Sequence, residues 1–297
     1  MPREARGRTV EAFLRRHLPG GATPGRVDAL LRAGAVTANG KPVRAERKLW
    51  GGEELVVAGS TLSPARKVEG PSLAVLAESQ GVVIVDKPAG WSVEPEPGQV
   101  SVVELLAWQR PGFDVGGTSL PGVAHRLDRN TTGALAFART DAGLAVLQRA
   151  FGEGSVEKRY LAVVLGTPPE SGRFDTPYAR DPSHARRYTT RVESPRRATL
   201  SWRLLEQLPG AAALEVTLET GRTHQIRCQF AEAGLPVLGD SLYGGDSACQ
   251  PEAVRAFGRQ ALHAHRLALT LEDGCVEAEA KVPADLQRMI VQLKGSP

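Results

Sequence analysis

Cysteine is scarce in this chain of 297 residues: Cys228, Cys249 and Cys275 are an odd number, and no two form a Cys-x-x-Cys pair. That disfavours a disulfide framework and a zinc knuckle alike. Long apolar runs are missing too, since those present, such as residues 82–85 and 161–165, fall far below the roughly 18 residues a spanning helix needs. No membrane span is expected. Residues 1–16 carry five Arg and no uninterrupted apolar stretch, so they lack the pattern of a secretory signal, and a cytoplasmic location is the expectation. The common catalytic signatures are also absent. With no Gly-x-Ser-x-Gly elbow, no Walker loop and no Gly-x-Gly-x-x-Gly after a strand, a nucleotide-cofactor oxidoreductase has no foothold.

What is present is a well-charged, globular composition, 24% charged and 41% apolar, with a net charge of +4. The charge is unevenly spread. Residues 1–67 hold 13 Lys+Arg against 6 Asp+Glu, net +7, which leaves 24 against 27, net −3, for the remainder. Such asymmetry fits a polyanion partner or, equally, a solvated basic face. Within this front portion Val10, Phe13, Leu14 and His17 recur at helical spacing, and Val27, Leu30 and Leu31 repeat the pattern before Gly34. Short strands are expected at Val36-Thr37-Ala38, at Val43 after the turn Asn39-Gly40-Lys41-Pro42, and at Leu55-Val56-Val57. Residues 1–58 therefore read as one small unit, with Arg26, Arg32, Lys41, Arg44, Arg47 and Lys48 interleaved and Trp50 as the one aromatic among them.

Residues 59–72, rich in Ser, Pro, Gly and charge, break the periodicity and read as a linker to a second domain over 73–297. There, strands are expected at 82–86, 134–138, 160–165, 200–205, 214–218, 261–271 and 275–282. Helices are expected at 102–108, 142–151, 224–233 and 284–293, the third closed by Gly234. Strands outnumber helices and often follow one another directly. The order predicts an α+β domain around a mixed, largely antiparallel sheet.

Two segments can carry chemistry. In Gly122-Val123-Ala124-His125-Arg126-Leu127-Asp128-Arg129-Asn130-Thr131-Thr132-Gly133 a carboxylate is flanked by two arginines just before an apolar strand, a place where rigid scaffolds hold catalytic groups. Taken alone, Asp128 can equally be a local cap or bridge. Thr220-Gly221-Arg222-Thr223-His224-Gln225-Ile226-Arg227 leaves a strand and enters a helix, which makes an anion-friendly site or a pair of arginines bound to surface acids. His263 and His265 have no visible third ligand, and no metal site is assigned.

With these residues in view, the chain resembles the RluA-type pseudouridine synthases, which isomerise uridine in ribosomal and transfer RNA. His125-Arg126-Leu127-Asp128 with Thr131-Thr132-Gly133 is similar to the family signature, with Thr132 where Ser is commoner. In the expected order come Asp86-Lys87-Pro88-Ala89-Gly90, Glu157-Lys158-Arg159-Tyr160, residues 220–227, Gly239-Asp240-Ser241-Leu242-Tyr243-Gly244 and Arg259-Gln260-Ala261-Leu262-His263-Ala264. The likeness spans about residues 73–290 and departs from the pattern at Cys228-Gln229, where an apolar residue and His are usual. Residues 8–57 resemble the α-L RNA-binding module of a small-subunit ribosomal protein, through the turn at 36–40 and Gly51-Gly52-Glu53-Glu54-Leu55.

The resemblance implies an enzyme that needs neither cofactor nor metal and acts as a monomer on RNA, with no membrane partner. Asp128 would be the catalytic carboxylate, Arg227 its cationic partner and Tyr160 the ring that stacks on the target base. A carboxylate suits the reaction, because breaking one glycosidic bond and making another calls for a nucleophile or base and no redox step. Uridine in folded RNA must be flipped out at a cost of a few kcal/mol, and Arg126 is placed to fill the vacated space. Arg222 is the loop's anion contact, and Leu262 is either an apolar wall of the pocket or plain core. Residues 173–203 hold eight Arg against Asp175, Asp181 and Glu193, so Arg186 and Arg187 suit phosphate contacts or a solvated arm. Large-subunit ribosomal RNA is the first choice of target and transfer RNA the second. A non-catalytic RNA-binding or ribosome-assembly protein is the alternative from another class, and a nucleoside hydrolase would betray itself by releasing free uracil.

Overall fold

The computed structural model describes residues 7–17, 24–32, 34–50, 52–57, 68–96, 98–116, 120–244, 252–271 and 274–295. Residues 58–67, which take in most of the linker expected at 59–72, and Cys249 lie outside the described residues, as does the Arg26 side chain. The front unit comprises α1 (Val10–His17), α2 (Pro24–Arg32), β1 (Val36–Ala38), β2 (Lys41–Pro42) and β3 (Leu55–Val57), with the strands ordered β2-β1-β3. Asn39 and Gly40, both at positive φ (50° and 76°), make the tight hairpin between β1 and β2. Val10, Leu14, Val27, Leu30, Val36 and Leu49 are fully or almost fully buried in a core that belongs to this unit alone.

The larger unit is built on one ten-stranded sheet. Its elements run β4 (Val75–Ser79), β5 (Val82–Lys87), α3 (Val102–Gln109), β6 (Gly122–Val123), β7 (Thr132–Ala138), α4 (Asp141–Glu153), β8 (Val156–Leu165) and β9 (Ser171–Pro177). There follow β10 (Ala179–Arg180), β11 (Tyr188–Thr189), β12 (Arg197–Leu208), β13 (Ala211–Leu218), α5 (Gln225–Glu232), α6 (Glu252–Phe257), β14 (Leu262–Leu271), β15 (Gly274–Glu279) and α7 (Ala284–Lys294). The main path is β4-β5-β7-β14-β8-β13-β12-β9, with β15 on β14 and β6 on β7, while β10 and β11 form a separate hairpin. Among the described strand pairs only β7 and β14 run parallel, so the sheet is mixed and largely antiparallel, as the element order predicts.

Burial explains why β5 and β7 read as continuous apolar runs rather than alternating ones. Val82 and Ile84 face the core under α4, whereas Val83 and Val85 face the core under α3, so both faces of this half are covered. Serine at the head of α3 caps it from both directions: Ser101 Oγ accepts from the Glu104 N–H, and the Glu104 carboxylate accepts from the Ser101 N–H. In the other half, β8, β12 and β13 pack their inner faces on α5 and α7 through Val163, Leu214, Phe230, Leu286 and Met289. Thus β8 and β14, at the middle of the path, carry their side chains to the seam between the halves.

At that seam the start of β7 needs glycine. Gly133 sits at φ +113°, and a Cβ there would fall 2.2 Å from the Ala264 carbonyl oxygen of β14. Any other residue would push β7 off β14 and carry the preceding loop with it.

Candidate active site

The loop that enters β7 is held from beneath by a buried lysine. Lys87, at the end of β5, is fully buried, and its ammonium donates to the carbonyls of Pro88 (2.9 Å), Arg129 (2.8 Å) and Thr131 (2.9 Å). The Thr131 N–H closes a turn on the Asp128 carbonyl at 3.0 Å. Arg259 braces the same loop from the other side, donating to the Asn130 carbonyl at 3.1 Å while both Asp285 oxygens hold it. Burial pulls the Lys87 pKa down to about 7, against the opposing pull of the negative Asp128.

Asp128 emerges from this loop into a cleft of about 750 Å³ walled by the 123–128 loop, the C-terminal turn of α4, β8, β14 and the segment between β13 and α5. Its Oδ2 accepts a hydrogen bond from Arg227 Nη1 at 2.9 Å. Arg227 lies in the first turns of α5, is 7% exposed, and uses its other nitrogens on Asp240: Nε to Oδ2 at 2.6 Å and Nη2 to Oδ1 at 2.9 Å. Asp240 is itself fixed by the N–H groups of Leu242 and Tyr243. Burial would raise the Asp240 pKa, but its paired hydrogen bonds from Arg227 outweigh that and hold it below the usual carboxylate range. One guanidinium is thus shared by two carboxylates, with Lys87 as a second basic group behind the loop.

His224 completes the surroundings of Asp128. It caps α5 in the left-handed region (φ 58°, ψ 19°), a conformation that a non-glycine residue adopts only under constraint. The constraint is Gln225, whose Oε1 accepts from Thr220 Oγ1 and the Arg222 N–H while its Nε2 donates to the Thr199 carbonyl. The imidazole Nε2 then lies 3.9 Å from Asp128 Oδ1. Tyr243 Oη accepts the Tyr188 N–H at 2.8 Å and lies within hydrogen-bond distance, 3.2 Å, of His224 Nδ1. Burial lowers the His224 pKa, against the opposing pull of Asp128.

Tyr160 of β8 and Leu262 of β14 line the same cleft, as do Arg126 and Arg222. Burial first, and the charge of Asp128 second, push the Tyr160 phenol above its ordinary range, so the ring enters the reaction neutral. Arg126 is mostly exposed, 3.8 Å from Glu94 at the rim. Arg222 reaches back to the Arg197 carbonyl at 3.1 Å. Arg186 and Arg187 do not line the cleft. They lie in the turn joining β10 and β11, with the Arg187 guanidinium 5.7 Å from the Tyr243 ring centre. Much of the remaining basic stretch is paired, Arg173 with Glu219, Arg197 with Asp175 and Arg203 with Glu215.

The departure at 228–229 is accommodated away from the cleft. Cys228 is buried and its thiol donates to the Tyr188 carbonyl at 3.1 Å, while Gln229 Nε2 donates to Thr176 Oγ1 and the Ala198 carbonyl. Both tie α5 to the 176–198 segment. His263 lies under the site with Nε2 donating to the Ala280 carbonyl (3.1 Å) and Nδ1 accepting from Thr132 Oγ1 (2.9 Å), which makes Thr132 a hydroxyl that braces the loop.

Lys87, His224 and Asp240 stand within the motif segments of the sequence, yet sequence reasoning assigned them no role. Their partners are separated along the chain: Lys87 from Thr131 by 44 residues and Arg227 from Asp128 by 99.

A carboxylate held beside a guanidinium in a cleft with an aromatic ring defines a site for acid–base or nucleophilic work on a planar substrate. Residues 81–232 match the family model of RNA pseudouridylate synthase. The chain is 33% identical over 278 residues to the ribosomal large subunit pseudouridine synthase D of Nitrosomonas europaea, covering 92% of this chain and 80% of that one. It is 34% identical over 307 residues to the enzyme of the same name from Xanthomonas campestris pv. campestris, covering 99% and 91%. Among solved structures, human RNA pseudouridylate synthase domain containing 1 superposes with a TM-score of 0.60 at 25% identity, covering 73% of this chain and 87% of that chain. The chain belongs to the RNA pseudouridylate synthase family. It is an RNA pseudouridine synthase, an isomerase.

Proposed function

We propose that this enzyme isomerises specific uridines in large-subunit ribosomal RNA, with Asp128 as the catalytic carboxylate. The observation that carries the reading is the bond from buried Arg227 to Asp128 at 2.9 Å, in a cleft that Tyr160 and Leu262 also wall. The ribosomal target is supported by the names of relatives that align over nearly the whole chain. Transfer RNA is the second choice.

Uridine swung out of the RNA enters the cleft with its ring on Tyr160 and against Leu262, while Arg126 at the rim takes up the space the base leaves. Arg227 orients the Asp128 carboxylate, with the His224 ring beside it, so that it serves as nucleophile or base while the bond from N1 to C1′ breaks and the bond from C5 to C1′ forms. Arg222 holds a backbone phosphate at the cleft edge, and Arg186 and Arg187 hold others farther out. Residues 1–58 act as an RNA-binding module of the α-L type, joined to the catalytic domain at 73–297 by residues 59–72, in a monomeric cytoplasmic enzyme.

Mapping pseudouridines by carbodiimide-dependent stops in cells with and without the gene tests the target. Loss of one or a few stops in large-subunit ribosomal RNA is expected. Loss confined to transfer RNA would move the enzyme to the second choice, and an unchanged map would defeat the reading.

A further inference from the structure

Four cationic side chains are buried among the described residues: Lys87, Lys158, Arg227 and Arg259. Three have their acceptors within the fold. Lys87 donates to three carbonyls, Arg227 to two carboxylates, and Arg259 to the Asp285 carboxylate and two carbonyls. Lys158 is 9% exposed, and neither a hydrogen bond nor an ion pair reaches its ammonium among the described residues. Its neighbour Arg159, pointing to the other side of β8, is paired with Glu157 and Glu215. The Lys158 side chain is largely covered while its ammonium opens onto the cleft instead of onto an acceptor of the fold, so a ligand seated in the cleft is what it can hold.

The ammonium lines the same cleft as Asp128. Lys158 and Tyr160 are two residues apart on β8 and so share a face of the strand, with Lys158 the more buried of the two. Beside it lies His125, whose Nε2 accepts the Ala136 N–H at 2.9 Å and whose ring stacks on Phe151 at 4.4 Å. Burial, with the charge of Lys158 adding to it, lowers the His125 pKa to about 3, so that ring is neutral and offers no countercharge.

We propose that Lys158 is a catalytic residue, its ammonium holding the uracil carbonyl oxygens of the flipped-out uridine and stabilising the negative charge that the base carries once it is detached from ribose. This rests on the reading of the cleft as a pseudouridylation site. When the bond from N1 to C1′ breaks, its electron pair leaves with the uracil and spreads over N1, O2 and O4, and Asp128 answers the electron deficiency left on the ribose. Turning the ring about the line from N3 to C6 exchanges N1 with C5 and O2 with O4. One ammonium beside that edge therefore meets a carbonyl oxygen both before and after the turn. The bond from C5 to C1′ then forms, C5 loses its proton and N1 gains one, with no outside oxidant or reductant.

A phosphate of the RNA is the other anionic oxygen available, and the salt dependence of binding separates the two.

Lys158→Met and Lys158→Arg, made in the full chain and assayed on a large-subunit RNA fragment, test the assignment. Loss of one preorganised donor to a developing oxyanion lowers kcat by roughly 10²-fold. Lys158→Met is expected to show that loss with KM and the salt dependence of binding unchanged, and with a melting temperature equal to or above that of the unaltered enzyme. Lys158→Arg should regain much of the rate. An unchanged kcat would overturn the proposal. So would a weaker affinity with a shallower salt slope, the mark of a phosphate contact, or a lowered melting temperature with no recovery in Lys158→Arg, the mark of a structural lysine. Failure of the unaltered enzyme to form pseudouridine at all is a separate outcome, and it would defeat the underlying reading before any variant is compared.

Discussion

Positive charge is used in opposite ways in the cleft and in the front unit. In the cleft Arg227 is buried, with every nitrogen bonded to a carboxylate, so its position is fixed by three charge-assisted hydrogen bonds. In the front unit Lys41, Arg44 and Lys48 are exposed, and Arg32 pairs with Asp28 one helical turn away at the surface. Charges of the first kind act through geometry, and one substitution disables them. Those of the second kind act through their number, are screened by salt, and matter little one at a time.

The largest effect expected from this contrast is at Asp128. Asp128→Asn keeps the shape and deletes the charge, so isomerisation should fall to background while RNA affinity, measured by filter binding, stays within about twofold of the unaltered enzyme. Arg227→Met comes next, because it leaves Asp128 and Asp240 facing each other without a cation. Breaking a buried pair in this way costs about 3–5 kcal/mol, which thermal melting should register together with a severe loss of turnover, and Arg227→Lys should be milder on both counts. Tyr160→Leu removes the ring and should lose far more turnover than Tyr160→Phe, which keeps it. Equal defects would shift the role from the ring to the hydroxyl.

Deleting residues 1–67 is the corresponding test of the front unit, whose apolar core is its own. The remaining domain should stay folded and keep most of its turnover at saturating RNA. Binding should weaken, and its dependence on salt should become shallower by about 0.7 to 0.9 log units for each phosphate that is no longer neutralised. Identical slopes would assign recognition to other cations, Arg186 and Arg187 first.

The smallest effect is on stability against pH. His263 is fully buried and its pKa is lowered to about 4, chiefly by burial. The unfolded chain, with an ordinary histidine near 6.5, therefore binds the proton more readily. The stability due to the neutral ring is fully present above that value and drains away as the pH falls from about 6.5 toward 4. Denaturant melts across this window should show the decline, with a slope up to about 1.4 kcal/mol per pH unit from this group, and His263→Gln should flatten it.

Much of the fold is legible in the residue pattern wherever burial is two-sided or a cap is explicit. Residues 82–86 and 134–138 read as strands because both their faces are covered, and the helix at 224–233 ends where Gly234 takes a φ of +79°. The edge strand β9 escapes because only Phe174 of its Ser-Gly-Arg-Phe-Asp-Thr-Pro run packs inward. It belongs there because Gly172 leaves room for the Trp202 ring, which a Cβ would meet at 2.1 Å. Asp128, Tyr160 and Arg227 stand out through motif order, and the structure brings all three to one cleft. The tie from Arg227 to Asp240, the approach of His224 and the lack of any partner for Lys158 among the described residues depend on which distant segments meet, and local pattern carries no trace of that.

Tritium release from RNA labelled at carbon 5 of uridine tests the central claim most directly, because that hydrogen leaves only if carbon 5 becomes the glycosidic atom. The unaltered enzyme should release one tritium for each pseudouridine formed and no free uracil, while Asp128→Asn should bind the same RNA and release none. Release that persists in Asp128→Asn, or free uracil in place of pseudouridine, would contradict the account.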